Sequence, residues 1–431
     1  MSDWKAEGYL QVTNAHQVTR AAWEAVPQNS FWNKGTERDS GRHRIHPYPA
    51  KFPAFIASKA FGIARERTSK LRRVADVFCG CGTVAYEARR EGLDFWGCDI
   101  NPVATLIART KRGRFKTSLL EEYRDSILRT FEEGCAEVAV DAVADARLEY
   151  WYESTHKGDL ARLLLAIRTT VPAKSRYRDF FLCAYSAILK ATSRWLTKSI
   201  KPQIDPKKKP TQVRTAFLTQ TSQMIKAFGE NAHHNLCPSE IVTGSVLNGE
   251  LPKNIDLIVT SPPYVTSYEY ADLHQLSSLW LGFASDYRTL REGSIGSSQH
   301  ALDFDREIKR LNNTGGRVVF SLFDQDRAIA KAVANYYLDM QKVAKRCKGM
   351  LRRNGIAIFV IGDTEYKGVK IENALHLTEA LLEAGFASVK VSKRTVSGKI
   401  LTPYRTPEGR FTRSTTGRHV YSEEFVLLAE R

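Results

Sequence analysis

Residues 74–82 read VADVFCGCG, an apolar run that enters a turn carrying two glycines. The run has the length of a buried strand. Gly80 and Gly82 let the backbone turn tightly and pass close to a neighbour, where any Cβ would intrude. VAYEARREG at 84–92 continues as a helix that Gly92 stops. DFWGCDI at 94–100 is the next strand, and it closes on an acid, Asp99. Strand, glycine turn, helix and a second strand ending in a carboxylate make half of a doubly wound α/β sheet.

The same pattern resumes far down the chain. SEIVTGS at 239–245 and IDLIVTS at 255–261 read as parallel-sheet strands, the second interrupted only by Asp256. Residues 327–350 carry Ile329, Val333, Tyr336, Met340 and Val343 on one helical stripe. Gly355 then introduces IAIFVIGD, and further strands are expected at 387–392 and 423–430. Between the halves, DLARLLLAIRTTV at 159–171 and DFFLCAYSAILKATSRWL at 179–196 have helical spacing, so 105–235 reads as a largely helical insertion. Residues 1–45 read as an irregular N-terminal extension. The expected catalytic domain is then 46–104 together with 236–431, a Rossmann-like α/β sheet.

Composition narrows the class. The chain has 431 residues, 43% hydrophobic and 26% charged, ordinary values for a globular protein. No apolar run reaches the length of a membrane helix, and MSDWKAEGYL lacks a secretion-signal pattern, so a cytoplasmic protein with no membrane partner is expected. Seven cysteines do not suggest a disulfide framework. Cys79, Cys81 and Cys98 lack a fourth ligand at finger spacing, so no metal is expected. The net charge of +17 favours a polyanionic partner. Lys207, Lys208 and Lys209 crowd one loop, and Lys390, Lys393, Arg394, Lys399, Arg405, Arg410, Arg413 and Arg418 form a basic segment near the C-terminus.

Two local signals carry chemistry. A carboxylate at the position of Asp99, seventeen residues after Gly82, can accept hydrogen bonds from both hydroxyls of a ribose. A pair of turn glycines with a capping aspartate is the plainer alternative. The turn lacks GxGxxG spacing, and it lacks the Lys-Ser/Thr pair of a phosphate loop. The strand IDLIVTS runs into Ser261-Pro262-Pro263-Tyr264. Proline ends the ladder and stiffens the backbone beyond it, and a tyrosine behind two prolines is more than a turn needs.

FxGxG, strand-end acid and SPPY, in this order, resemble the S-adenosylmethionine-dependent DNA methyltransferases that modify exocyclic amino groups. That resemblance implies a class I methyltransferase fold with S-adenosylmethionine as cofactor. It implies cofactor contacts from Asp76, Phe78, Gly80, Gly82 and Thr83 in DVFCGCGT, and from Asp99 and Ile100 at the next strand end. HPYPAKFPAF at 46–55 is similar to the family's N-terminal motif, which adds Lys51 and Phe52. IVTGS at 241–245 fits the third cofactor strand, with Gly244 and Ser245 near the adenine. Ser261, Pro262, Pro263 and Tyr264 are the implied catalytic residues. The Ser261 side chain and the Pro262 carbonyl would accept hydrogen bonds from the target amine, while Tyr264 would stack on a base swung out of the duplex.

Family members with a first-position Ser mostly modify cytosine N4, so that is the expected target, with double-stranded DNA as partner and adenine N6 as the alternative base. Carbon-5 chemistry is disfavoured, since it needs Pro-Cys and Glu-Asn-Val. The implied setting is restriction–modification or phage defence, with a cognate restriction endonuclease or without one. An RNA amino-methyltransferase and a non-catalytic DNA-binding subunit are the rival readings. Lys207, Lys208, Lys209, Arg405, Arg410, Arg413 and Arg418 are the expected DNA contacts, and the insertion is a candidate target-recognition region. Tyr268, Tyr270, Asp272 and His274, just past the catalytic motif, either line a base pocket or belong to an amphipathic helix.

Overall fold

The computed structural model describes residues 8–49, 51–68, 70–134, 142–196, 202–229, 237–265, 270–297, 304–396, 404–405, 411–412, 418–419 and 422–431. Its centre is an eight-stranded sheet. In chain order the strands are β1 (Leu10–Val12), β2 (Arg73–Asp76), β3 (Asp94–Asp99), β4 (Ser239–Thr243), β5 (Ile255–Thr260), β6 (Leu351–Ile361), β7 (Ser388–Thr395) and β8 (Glu423–Glu430). Across the sheet they run β1-β7-β8-β6-β5-β2-β3-β4. β4, β3, β2, β5 and β6 are mutually parallel, and β8 lies antiparallel between β6 and β7. The chain order reverses between β2 and β5, and the crevice of such a sheet lies at the carboxyl ends of its strands.

Alternate residues of the central strands face two cores. Ala75, Ile258, Ala357, Phe359 and Leu427 meet the helices Asn313–Phe323, Arg327–Met350 and Asn373–Glu383. Val74, Leu257, Val259, Ile358 and Val426 meet the helices Ala54–Arg67 and Thr83–Arg90. Each fully buried aliphatic or aromatic side chain contributes roughly 1.5–3 kcal/mol, which holds the layers together. Asp256, the acid inside the β5 run, accepts hydrogen bonds from the Arg72 and Arg73 amides at 2.7 Å each and pairs with Arg352 at 2.6 Å. It therefore fixes where β2 begins beside β5.

The N-terminal stretch is more ordered than its sequence suggests. β1 pairs with β7, and Trp23 is buried and stacks on Phe425 of β8 at 5.2 Å. Trp32 is buried on the face of the sheet that meets the helix Ala54–Arg67. The insertion is helical as expected, with Thr117–Glu133, Ala142–Trp151, Ser154–Thr170, Arg176–Ile188 and Val213–Gly229. It has its own core, in which Trp151 stacks on Trp195 at 4.7 Å. That core also takes in Leu276, Leu279 and Trp280 from the helix Gln275–Trp280, which comes after the SPPY motif in the chain. No described helix is long and apolar enough to cross a membrane.

Gly82 makes the most demanding turn. Its φ is +74°, and a Cβ there would lie 2.6 Å from Ala108 Cβ and 2.7 Å from Ala108 Cα. Gly82→Ala combines a left-handed backbone with a clash against a neighbouring helix backbone. It is expected to lower stability by about 2–4 kcal/mol, read from urea unfolding.

Candidate functional site

Five loops converge at the carboxyl edge of the parallel strands. The turn after β2 contains Phe78, Gly80 and Gly82, and Gly80 is left-handed at φ +46°. Its amide donates to Asp99 Oδ2 at 2.9 Å, and the Asn101 amide donates to Asp99 Oδ1 at 2.9 Å. A carboxylate has about four acceptor positions, so two hydrogen bonds leave two for a ligand diol. Burial raises the Asp99 pKa, against the pull of the two amides. The Gly244 amide donates to the Asp99 carbonyl at 2.9 Å, which brings the loop after β4 to the same acid.

The loop after β5 is joined to the glycine turn by Thr260. Its hydroxyl donates to Asp76 Oδ1 at 2.6 Å, and the Phe78 amide donates both to Asp76 Oδ1 at 3.1 Å and to Thr260 Oγ1 at 3.2 Å. Thr260 and Asp76 are buried. Burial pushes the Asp76 carboxyl up to about 7, against these hydrogen bonds and with help from the Asp99 charge. Ser261 to Tyr264 come directly after, with Pro262 buried and the other three half-buried. The Tyr264 hydroxyl donates to Glu424 Oε1 at 3.1 Å. The ring rests near Gly362, where a Cβ would lie 3.1 Å from Tyr264 Cε2. Asp363, the next residue, accepts from the Ala374 amide at 3.0 Å, and burial pushes its carboxyl up to about 6.

The 46–55 segment reaches the same edge. The Tyr48 ring lies over the glycine turn, 3.7 Å from where a Gly80 Cβ would stand. Lys51 donates to the His43 carbonyl at 2.6 Å, its pKa lowered by burial, and Phe52 packs against the core beside the helix Ala54–Arg67. Thr83 Oγ1 is buried with no hydrogen-bond partner among the described residues. A further wall comes from 287–297. Gly293 lies against Ile100, and its carbonyl accepts from Ser245 Oγ at 3.5 Å. Asp76, Phe78, Gly80, Gly82, Asp99, Ile100, Gly244, Ser245 and Ser261–Tyr264 are thus brought to one edge of the sheet.

The expected nucleic-acid contacts divide. Lys207 and Lys209 are exposed, but Lys208 donates to the Lys190 and Trp195 carbonyls at 2.6 and 2.8 Å. Lys390 pairs with Glu430 at 2.7 Å, and Arg394 is buried with Glu424. Arg405 and Arg418 are register partners in a small antiparallel sheet. Arg410, Arg413 and Lys399 lie outside the described residues. Tyr268 is also outside them, and Asp272 pairs with Arg291 at 2.6 Å. His274 is buried and stacks on Tyr48 at 5.0 Å. Burial and the Lys190 charge push it down to about 3, so its ring is a poor proton acceptor at neutral pH.

Sequence reasoning passed over four residues. Thr260 has only one local mark, its place at the end of β5, and its acceptor Asp76 lies 184 residues away. Gly362-Asp363 places an acid at a strand end, as Asp76 and Asp99 do at the ends of β2 and β3. Glu424 carries no local signal.

The sheet order, with an antiparallel β8 between β6 and β7 and the loops at the parallel strands' carboxyl ends, is a Rossmann-like methyltransferase fold. The chain is 22% identical over 408 residues to the Type II methyltransferase M.MvaI of Kocuria varians, spanning 86% of this chain and 88% of that protein. This relative supports a methyltransferase. No protein-family model matches the chain. Among solved structures, the rRNA methyltransferase aviRa of Streptomyces viridochromogenes is 10% identical, covering 89% of this chain and 87% of its own, with a TM-score of 0.25. A likeness that low carries no weight here. Among the described residues, no group of three or more His, Cys, Asp or Glu side chains could hold a metal ion.

Asp76 gives the site a pH signature. A carboxyl whose folded pKa is about 7 and whose ordinary value is 3.8 stabilises the fold fully below the ordinary value. That contribution is lost as pH rises through about 7. Asp76→Asn keeps an oxygen to accept from Thr260 and Phe78 but cannot ionise. The variant should melt near the wild type at pH 3.5 and several degrees above it at pH 8, as measured by calorimetry.

Proposed function

We propose that the chain is a DNA methyltransferase that transfers a methyl group from S-adenosylmethionine to the exocyclic N4 of cytosine in double-stranded DNA. The setting is restriction–modification or phage defence. The observation that carries this reading is the buried Thr260–Asp76–Phe78 junction, which starts the Ser261–Tyr264 loop within hydrogen-bond reach of the glycine turn. The Type II methyltransferase relative supports DNA as the substrate. S-adenosylmethionine is the usual cofactor of methyltransferase homologues, and when bound it supplies an activated methyl on sulfur.

Asp99 fits that cofactor's ribose, having spent one acceptor position per oxygen on amides. Gly80 and Gly82 keep side chains out of the turn that faces it. Ser245, Ile100 and the 293–297 segment wall the adenine side, and Tyr48, Lys51 and Phe52 close the methionine side. At the reacting end, Ser261 Oγ and the Pro262 carbonyl accept hydrogen bonds from the target amine. Its lone pair is delocalised into the base, and these bonds draw the nitrogen toward tetrahedral geometry. The prolines hold both acceptors rigid, so little orientation entropy is lost during reaction. Tyr264 stacks on the extruded base, and the amine proton leaves to water after transfer.

Lys207 and Lys209 contribute backbone contacts to DNA. Arg405 and Arg418 contribute from the segment between β7 and β8. The register sets these two positions opposite each other.

Unmethylated plasmid incubated with protein and S-adenosylmethionine, then digested to nucleosides for mass spectrometry, should yield N4-methylcytosine. Ser261→Ala should lower that yield by roughly 100-fold or more, as expected for loss of an oriented polar group at the reacting atom. N6-methyladenine would correct the base and keep the mechanism. No methylated nucleoside, despite cofactor binding, would overturn the DNA reading. By calorimetric titration, Asp99→Ala should weaken S-adenosylmethionine binding about 10–100-fold, the range set by losing hydrogen bonds to a charged group.

A further inference from the structure

Arg394 and Glu424 are register partners on β7 and β8, near the root of the basic segment. The root itself is closed by the Val396 amide, which donates to the Ser422 carbonyl at 2.8 Å. Arg394 is buried, and its Nε and Nη2 both donate to Glu424 Oε2, at 3.0 and 2.7 Å. Glu424 Oε1 accepts from the Tyr264 hydroxyl at 3.1 Å. One carboxylate thus divides its two oxygens between a fixed guanidinium and the aromatic residue of the SPPY loop.

Strand pairing alone gives little reason for this charge. A desolvated ion pair usually adds no more stability than apolar residues of similar volume. Two guanidinium donors on Oε2 anchor one oxygen, and the Tyr264 hydroxyl takes the other, so three charge-assisted hydrogen bonds together hold the carboxylate in place. Gly362 matters on the other side of the ring's position, since even a methyl group there would lie 3.1 Å from Cε2. The ring is therefore held at its hydroxyl by Glu424 and along its edge by a bare backbone.

We infer that Glu424, oriented by the buried Arg394, is a positioning residue that fixes the Tyr264 ring as the platform for the target base. This rests on the methyltransferase reading above, in which Tyr264 stacks on that base. A platform free to turn about its two side-chain torsions loses part of its hold on the base before each transfer. Misplacement of about 1 Å at a reacting centre costs up to roughly 100-fold in rate.

The test is a cycle on the full-length protein. Tyr264→Phe removes the hydroxyl and leaves the Arg394–Glu424 pair intact. The paired change Arg394→Met with Glu424→Leu removes both charges together, so neither is stranded. The third variant carries all three changes. Methyl transfer to DNA gives kcat, and titration gives cofactor affinity. Tyr264→Phe and the paired change should each lower kcat about tenfold with cofactor affinity unchanged, and the triple variant should be no slower than the slower of the two.

Independent losses, multiplying to about 100-fold in the triple variant, would overturn the positioning role. So would an unchanged kcat in Tyr264→Phe, which decides the matter alone if the paired change does not fold. A wild type that binds S-adenosylmethionine but methylates no DNA overturns the functional reading itself, and the positioning role with it. Loss of coupling in an active wild type overturns only the positioning role.

Discussion

The buried carboxyl of Asp76 is the joint on which the site depends. It receives the Thr260 hydroxyl from β5 and the Phe78 amide from the glycine turn, so two strand ends of the central sheet share one acceptor. Each partner alone is a modest interaction. Together they satisfy polar groups that would otherwise be stranded in a dry interior, where an unpaired group costs about 1–3 kcal/mol. The loop bearing Ser261 and the turn bearing Gly80 therefore cannot separate without exposing or orphaning Asp76. Asp99 repeats the device one strand further out, with the Gly80 and Asn101 amides on its two oxygens.

The rest of the fold supplies walls for that edge. The parallel strands end on the same side, so their loops meet without long excursions. The N-terminal residues return across the sheet, β1 adding an edge strand and Trp23 stacking on β8, before 46–55 arrives at the glycine turn. On the far side, 292–297 is pinned to the long helix Arg327–Met350. The Gly296 amide donates to Asp339 at 3.0 Å, and Asn335 donates to the Ser297 carbonyl at 3.3 Å. Each wall is thus fixed by contacts outside the crevice.

Much of this was legible because its signals are local. The β2 run, its glycines and the strand ending in Asp99 lie within 27 residues, and proline punctuation marks the end of β5. The long helix and β8 occupy the residues that their periodicity marks, 327–350 and 423–430. The features that stayed hidden depend on partners distant in sequence. β1 is three residues long, and it pairs with a strand nearly the whole chain away. Arg394 read as one cation among many because its partner Glu424 lies thirty residues on, beyond the basic segment. Lys208 read as a phosphate contact because nothing local shows that its ammonium turns toward two backbone carbonyls. The helices Asn313–Phe323 and Asn373–Glu383 also escaped the sequence reading, and both pack against the long helix.

The insertion's core reaches past its sequence boundaries. Gln275 is buried, and its Oε1 accepts from Trp151 Nε1 and from Arg147 Nε at 3.0 Å each. His46, at the head of the 46–55 segment, bonds Ser186 at 2.9 Å, and Ser186 bonds Ser277 at 2.7 Å. An exchange of this region between related enzymes that cuts only at residues 105 and 235 would sever those contacts. It would leave Leu276, Leu279 and Trp280 facing a foreign surface. A transferable unit must carry the helix Gln275–Trp280 with it, and match the partner's counterpart of His46. An exchange in this architecture therefore has to move three separated blocks of sequence as one.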